Sequence, residues 1–120
     1  MTNQIVWFDI PVVDLDRAIK FYSQVLAIEV KKDSTNMPMG VFMHKENQPS
    51  GCLFQSNEEK PSGHGLLLYF NVNGRLDEAV KLVDKNGGKV LKPKHQIGPY
   101  GFRATIQDSE GNRIALHSEK

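Results

Sequence analysis

The chain has 120 residues, of which 39% are apolar and 24% are charged, a composition typical of one globular domain. Fifteen lysines and arginines against 14 aspartates and glutamates give a formal net charge of +1, which disfavours a nucleic-acid or anionic-membrane binder. The sequence predicts neither a membrane span nor a signal peptide, and we expect a cytoplasmic protein. Its single cysteine, Cys52, excludes an internal disulfide and a cysteine-based zinc cage.

The first half of the sequence predicts one helix flanked by strands. The residues over 5–12 predict a first strand, and apolar residues at helical spacing from Leu15 to Leu26 predict an amphipathic helix. Asp14 stands where a helix N-cap is expected. Three shorter β segments follow, at 28–31, 40–43 and 52–55. This half therefore has the order β-α-β-β-β.

The second half of the sequence predicts the same order after a polar linker that contains Pro61 and Gly63. A predicted strand over 66–72 leads into an amphipathic helix that begins at Leu76 and ends at Gly87-Gly88. Three further strands are predicted, at 89–91, 102–107 and 113–117.

Both helices carry the pattern Asp-x-Ala-apolar-Lys-apolar, at residues 16–21 and 77–82. Because the flanking strands match as well, we interpret the chain as an internal repeat. The sequence therefore predicts an α+β protein with two tandem βαβββ modules, at about 1–57 and 64–120, within a single domain over 1–120. We expect the modules to form a curved, open, eight-stranded mixed sheet with a helix behind each half.

Two such modules in a chain of this length resemble the vicinal oxygen chelate superfamily, which includes glyoxalase I, extradiol dioxygenases and bleomycin-resistance proteins. The segment 10–22, Ile-Pro-Val-Val-Asp-Leu-Asp-Arg-Ala-Ile-Lys-Phe-Tyr, is similar to that family's first strand and helix. The segment 108–116, Asp-Ser-Glu-Gly-Asn-Arg-Ile-Ala-Leu, is similar to its last hairpin. Val25-Leu26-Ala27 lies where a Leu-Gly turn is common. Within the superfamily, the chain looks most like proteins described as related to lactoylglutathione lyase.

The resemblance implies four metal ligands, His or Glu, taken from four strands. The matching positions hold Trp7, Leu67 and Ala115, and the fourth falls at about Cys52. Tryptophan, leucine and alanine offer no lone pair to a metal ion, and one cysteine is too few. We therefore expect no metal at the family's usual site and no cofactor. Whether the chain is an enzyme stays open, since one fold hosts many chemistries.

Strand parity predicts which side chains share the sheet face opposite the helices. In the last hairpin, Arg103 is predicted to pair with His117, and Thr105 with Ala115. Aromatic walls with a few polar groups are typical of a small-molecule pocket. The predicted ligand-binding residues on this face are Trp7, Asp9, Cys52, Phe54, Leu67, Tyr69, Arg103, Thr105 and His117.

Several of these side chains have a structural alternative to a role in binding. Trp7 either stacks on a ligand or fills the space of the missing metal, and Cys52 is expected to be a small buried apolar residue. Asp9 is a general base, a polar anchor or the partner of Arg103 in an ion pair. His117 is an acid–base group or an exposed residue near the end of the chain. The remaining histidines are expected on the surface, in loops or at strand edges: His44, His64 and His95.

Three classes of function stay open. The first, which the missing ligands favour, is a metal-independent pocket that binds or sequesters a small apolar or aromatic molecule. The second is a lyase, isomerase or dioxygenase-type enzyme with a relocated divalent metal, and the third is a non-catalytic partner or regulatory subunit. A homodimer is also expected, because Trp7, Phe54, Leu67 and Tyr69 would give a monomer an open apolar patch.

Overall fold

A computed structural model of the chain describes residues 3–35 and 37–120. Its elements are, in chain order, β1 (Trp7–Val12), α1 (Leu15–Leu26), β2 (Val30–Asp33), β3 (Met39–Phe42), β4 (Ser50–Gln55), β5 (Leu68–Asn71), α2 (Leu76–Lys85), β6 (Lys89–Gln96), a short 3₁₀ turn (Gly98–Tyr100), β7 (Phe102–Gln107) and β8 (Arg113–Ser118). This order confirms the prediction of an α+β fold made of two tandem βαβββ modules. Within the described residues, no helix is long and apolar enough to cross a membrane.

The eight strands form two four-stranded mixed sheets, one in each module. The strand order is β1-β4-β3-β2 in the first sheet and β5-β8-β7-β6 in the second. In each module the first strand is parallel to the last, whereas the other neighbours are antiparallel. β1 and β5 are therefore edge strands. Pro11, which has no N–H to donate, is tolerated in β1 because that strand lies on an edge.

Local sequence explains where the helices begin and end. The Asp14 carboxylate caps α1 by accepting a hydrogen bond from the Arg17 backbone N–H at 3.1 Å, as predicted. α1 ends at Ala27, whose φ of 54° lies in the left-handed region. α2 begins at Leu76 and is followed by Gly87 at φ 88°, a conformation that glycine adopts without strain.

β6 differs most from its prediction, since it extends to Gln96 instead of ending near Leu91. The register between β6 and β7 shifts twice, between Val90 and Lys92 and between Lys92 and His95. Such bulges interrupt the alternation of side chains from which a strand is predicted. Side-chain alternation therefore did not predict residues 92–96 of this strand.

One apolar core contains side chains from both modules. Phe70 of β5 packs its ring against Phe8, Tyr22 and Phe42 of the first module, with ring centroids 5.9, 5.6 and 5.6 Å away. α1 and α2 also contact each other. The modules are therefore joined on the side of the helices, and the opposite face of each sheet stays open.

A polar contact between the modules is made by residues 108–112, which connect β7 to β8 and which we call the junction turn. The Tyr22 hydroxyl donates a hydrogen bond to the Asp108 carboxylate at 2.6 Å, and both side chains are fully buried. Burial next to that carboxylate raises the pKa of Tyr22 well above its ordinary value. The Asn112 side-chain amide donates to the Pro11 carbonyl on the free edge of β1 at 2.8 Å.

Glu110 is the second buried carboxylate of the junction turn. It accepts hydrogen bonds from the backbone N–H groups of Val13 and Asp14, at 2.9 and 2.7 Å, and from the Arg17 guanidinium at 2.7 and 2.9 Å. Burial alone would raise the pKa of Glu110, but the bonds from Arg17 and the backbone outweigh that effect and lower it. The start of α1 in one module is thus held by a charge from the other.

Candidate functional site

The sheet faces opposite the helices carry the side chains that strand parity predicts for them. On β1, Ile10 is buried, whereas Trp7 and Asp9 are exposed. On the last hairpin, Arg103 lies opposite His117, which is the predicted register. The polar and aromatic residues of this face form two separate groups, one on each sheet.

The first group, which we call the first-sheet cluster, consists of Trp7, Asp9, His44 and Cys52. The Trp7 indole N–H donates to Asp9 Oδ1 at 3.0 Å, and the Cys52 thiol donates to the same oxygen at 3.3 Å. The His44 ring meets the Trp7 ring edge-on, with centroids 5.9 Å apart. Asp9 therefore orients the indole, which remains 41% exposed and available for stacking.

Cys52 acts in this cluster as a hydrogen-bond donor. Its side chain is buried under the face, and burial followed by the nearby Asp9 carboxylate raises the pKa of its thiol to about 11. The thiol thus keeps its proton at neutral pH, whereas a nucleophilic or metal-ligating cysteine needs the thiolate. The expectation of a small, buried apolar residue agrees with the burial of Cys52, and the structure adds the hydrogen bond that its thiol donates.

The second group, the second-sheet cluster, consists of Tyr69, His95, Arg103 and His117. The Arg103 guanidinium donates from Nε to His95 Nε2 at 3.0 Å and from Nη1 to the Tyr69 hydroxyl oxygen. It also lies 5.9 Å from the centre of the Tyr69 ring, within the range of a cation–π contact. The Tyr69 and His117 rings are 6.3 Å apart. Two hydrogen bonds, to His95 and to Tyr69, therefore hold the guanidinium in place.

The hydrogen bonds assign the protons on both histidines. His95 Nε2 accepts from Arg103, so its Nδ1 carries the proton and donates to the Pro93 carbonyl at 2.9 Å. His117 Nε2 lies 2.6 Å from the Tyr100 carbonyl, which can only accept, so this nitrogen is the protonated one. A neutral His117 therefore presents an unprotonated Nδ1. The Tyr100 carbonyl that it contacts belongs to the short turn at Gly98–Tyr100.

The predicted site residues divide between these clusters. Trp7, Asp9 and Cys52 meet in the first, and Tyr69, Arg103 and His117 meet in the second. Among the described residues, no hydrogen bond or ion pair joins Asp9 to Arg103, because each is bound to partners on its own sheet.

The remaining predicted residues lie beside the clusters without joining their hydrogen bonds. Phe54 is half-buried and lies opposite Pro11 and Met39. Thr105 is half-buried opposite Ala115, and Leu67 is half-buried immediately before β5. These side chains contribute surface to the two faces and no charge.

Sequence analysis missed two members of the clusters, His44 and His95. His44 lies two residues after the end of β3, beyond the segment that parity describes. His95 reaches Arg103 only because the bulges in β6 place it opposite that residue. In the sequence, His95 lies in a long polar stretch before Gly98. A strand with two register shifts produces such a stretch, and so does a polar loop.

The residues present do not fit the metal site that the resemblance implies. The Trp7 ring nitrogen donates a proton instead of offering a lone pair, and Leu67 and Ala115 carry only hydrocarbon. Cys52 is a thiol with a raised pKa. Within the described part of the chain, no group of three or more His, Cys, Asp or Glu side chains is placed to hold a metal ion.

Two surface depressions adjoin the clusters. A cavity of about 220 Å³ lies against the second-sheet cluster, lined by Tyr69, Phe70, Asn71, Asn73, His117 and Glu119. Another, of about 270 Å³, opens beside the free edge of β1, where apolar walls meet Asp9 and Arg113. Its apolar walls are formed by Phe8, Ile10, Pro11, Leu66, Leu68 and Ile114. Both have room for a small organic group.

Comparisons with protein families and with known sequences find relatives that agree with one another. The family model described as the Glyoxalase/Bleomycin resistance protein/Dioxygenase superfamily matches residues 4–116. A Didymella fabae protein named "Glyoxylase-like domain-containing protein" is 31% identical over 122 residues, covering 95% of this chain and 92% of that protein.

Solved structures are similar over the whole fold. A glyoxalase/bleomycin resistance protein from Albidiferax ferrireducens T118 has a TM-score of 0.78 at 17% identity, covering 98% of this chain and 100% of that one. The fosfomycin resistance protein FosX from Listeria monocytogenes has a TM-score of 0.73 at 15% identity, covering 100% of this chain and 94% of that one. At these identities the likeness concerns the fold alone.

Proposed function

The chain belongs to the Glyoxalase/Bleomycin resistance protein/Dioxygenase superfamily, and we propose that it binds or sequesters a small apolar or aromatic molecule without a metal at the family's usual site. The observation that carries this proposal is the donor set at the ligand positions. Trp7, Leu67 and Ala115 cannot coordinate a cation. Cys52 is engaged with Asp9 as a protonated thiol.

The composition of the open faces supports a binding role. The half-exposed rings of Trp7 and Tyr69 offer flat apolar surface, and each is fixed by a hydrogen bond to a neighbour. Fixed aromatic side chains lose little conformational entropy when they bind, which favours stacking on a ligand. The polar groups that surround them would orient the bound molecule.

Metal analysis combined with a ligand screen tests this proposal. The protein is purified without chelator, its metal content is measured, and its melting temperature is followed against a panel of small metabolites. We expect substoichiometric metal and a raised melting temperature with at least one apolar or aromatic compound. One equivalent of Zn, Ni, Mn or Fe would instead favour an enzyme with a relocated metal site. A panel without effect would favour a non-catalytic partner subunit.

We also propose that residues 1–120 form a single cytoplasmic domain that assembles as a homodimer. Support for one domain comes from the core that both modules share. Support for the dimer comes from apolar side chains on the surface, with Val6 73% and Leu66 90% exposed. Light scattering at micromolar concentration is expected to give twice the chain mass of 13.5 kDa, and a particle of one chain mass would contradict the dimer.

A further inference from the structure

Among the residues that the structure describes, the Arg103 guanidinium of the second-sheet cluster is paired with no carboxylate. Within the described residues, the ion pairs join Arg17 to Glu110, Lys32 to Asp16 and Lys94 to Asp77. Arg103 is half-buried, and its partners are the neutral acceptors His95 and Tyr69. A partly desolvated charge without a counter-charge is unfavourable unless something else supplies one.

The hydrogen bonds of Arg103 leave a defined set of free donors. A guanidinium has five N–H groups, of which one is given to His95 and one to Tyr69. Within the part of the chain that the structure describes, the other three N–H groups have no partner, and they lie in the plane that these two contacts fix. Because the Tyr69 oxygen accepts from Arg103, its own hydroxyl proton is free to be donated outward.

We propose that Arg103, with the Tyr69 hydroxyl, binds the carboxylate of the small molecule that the protein takes up. This inference rests on the proposed function and names the chemical class of its ligand, an organic acid with an apolar or aromatic body. His95 acts as a positioning residue, since it accepts a hydrogen bond from Arg103 Nε and so fixes the guanidinium plane.

A carboxylate fits this arrangement better than a neutral polar group. The planar guanidinium fork matches the two oxygens of a carboxylate, and such charge-assisted pairs are about twice as strong as neutral hydrogen bonds. The adjoining cavity of about 220 Å³ gives space for the body of the ligand beside the Tyr69 and His117 rings. Glu119 lines the same cavity but makes no ion pair with Arg103, and so leaves the guanidinium available.

Calorimetric titration with a matched pair of probes tests this assignment. The probes are 2-naphthoate and 2-naphthamide, which share a ring system and differ in charge. We expect the wild-type protein to bind the acid at least roughly tenfold more tightly than the amide, and Arg103→Gln to abolish that preference. Arg103→Lys should keep only part of it, because lysine retains the charge but loses the fork.

Arg75→Gln is the matched control, since it removes the same charge from another half-buried arginine, which donates to the Val25 carbonyl and lines neither of the two cavities described above. It should leave the preference for the acid intact, and a melting curve of each free variant verifies folding. Equal affinity for both probes in the wild type would overturn the carboxylate anchor while leaving the proposed binding function in place. Loss of the preference in Arg75→Gln, with Arg103→Gln unchanged from the wild type, would likewise overturn the role of Arg103. Binding of neither probe would contradict both proposals.

Discussion

The two sheet faces share one backbone frame but differ in chemistry. Asp9 lies opposite Cys52 across β1 and β4, and Tyr69 lies opposite Ala115 at the same place across β5 and β8. The first sheet thus has a carboxylate with a thiol that donates to it. The second sheet has a phenol beside a methyl group, which leaves its hydroxyl free for another partner.

The next cross-strand pairs also differ in chemistry between the two sheets. Met39 lies opposite Phe54 in the first sheet, whereas Arg103 lies opposite His117 at the corresponding pair in the second. The internal repeat therefore determines where a side chain stands and says little about its chemistry. The strand orders of the two sheets match, but one face is apolar and acidic and the other is cationic.

The connections at the ends of the two sheets differ as strongly. The junction turn between β7 and β8 is buried and contacts the first module, whereas the loop between β3 and β4 is exposed. We expect Glu110→Gln to lower the free energy of unfolding by about 2–4 kcal/mol, because an amide cannot accept all the bonds that this carboxylate receives. Urea unfolding measures the loss. Glu46→Gln, in the exposed loop, is the matched control and should change stability by less than about 0.5 kcal/mol.

The contribution of Glu110 to the free energy of unfolding should depend on pH. The pKa of Glu110 is lower in the folded protein than its ordinary value of 4.5, so its stabilisation is present above that pH and is lost as the pH falls through the folded pKa. The stability difference between wild type and Glu110→Gln should therefore shrink in acid. Urea midpoints of both proteins from pH 7 down to about pH 3 measure it. A difference that is constant over this range would contradict the role of the ionised carboxylate.

The helix-facing sides of the sheets differ at Gly51 and Ile114, which pair with Phe8 and Leu68 at equivalent places. A Cβ at Gly51 would lie 2.5 Å from both the ring and the carbonyl oxygen of Phe8. We expect Gly51→Ala to cost about 1–3 kcal/mol through overpacking. Ile114→Val, the control, should cost about 0.5–1.5 kcal/mol, as an ordinary buried truncation does. An unchanged urea midpoint for Gly51→Ala would show that Phe8 can move aside.

The aromatic side chains of the two faces are distinguishable in solution, because the single tryptophan lies in the first-sheet cluster. A ligand that stacks on Trp7 should change its fluorescence, and Trp7→Ala should weaken binding by about 1–3 kcal/mol. Tyr69→Phe keeps the ring of the other face but removes the hydroxyl that we propose to hold the carboxylate, so a ligand bound only on the second sheet should lose affinity in Tyr69→Phe and not in Trp7→Ala. If a confirmed ligand leaves the tryptophan emission unchanged and binds Trp7→Ala as tightly as the wild type, its binding site lies away from the first sheet.

The smallest expected effect compares the ends of the two helices. α1 ends on Ala27 at φ 54°, whereas α2 is followed by Gly87 at φ 88°. Ala27→Gly should stabilise the protein by about 0.5–1 kcal/mol, since glycine adopts this conformation without a Cβ clash. Gly87→Ala should destabilise it by a similar amount. Thermal melts of both variants give the sign, and a lower melting temperature for Ala27→Gly would contradict the strain at that residue.

Much of the fold could be predicted because apolar periodicity and strand parity are local properties. They identified both helices, the orientation of Asp9 and the pairing of Arg103 with His117. Parity says which face a residue occupies but not which residues bond to one another, so it left open an ion pair between Asp9 and Arg103, whereas in the structure each is bonded to partners on its own sheet. The role of Glu110 could not be predicted for a related reason, because its partners are distant in the chain.

The junction turn makes the order of folding events asymmetric along the chain. Glu110 and Val13 are separated by 97 positions, and Asp108 and Tyr22 by 86. Closing a loop of that length carries a large entropic cost before any contact is gained, so the end of the last hairpin is expected to settle late. The two halves of the repeat, although alike in outline, are not interchangeable folding units: a separated second half would lack the Tyr22 hydroxyl that donates to Asp108 and the Arg17 guanidinium that pairs with Glu110.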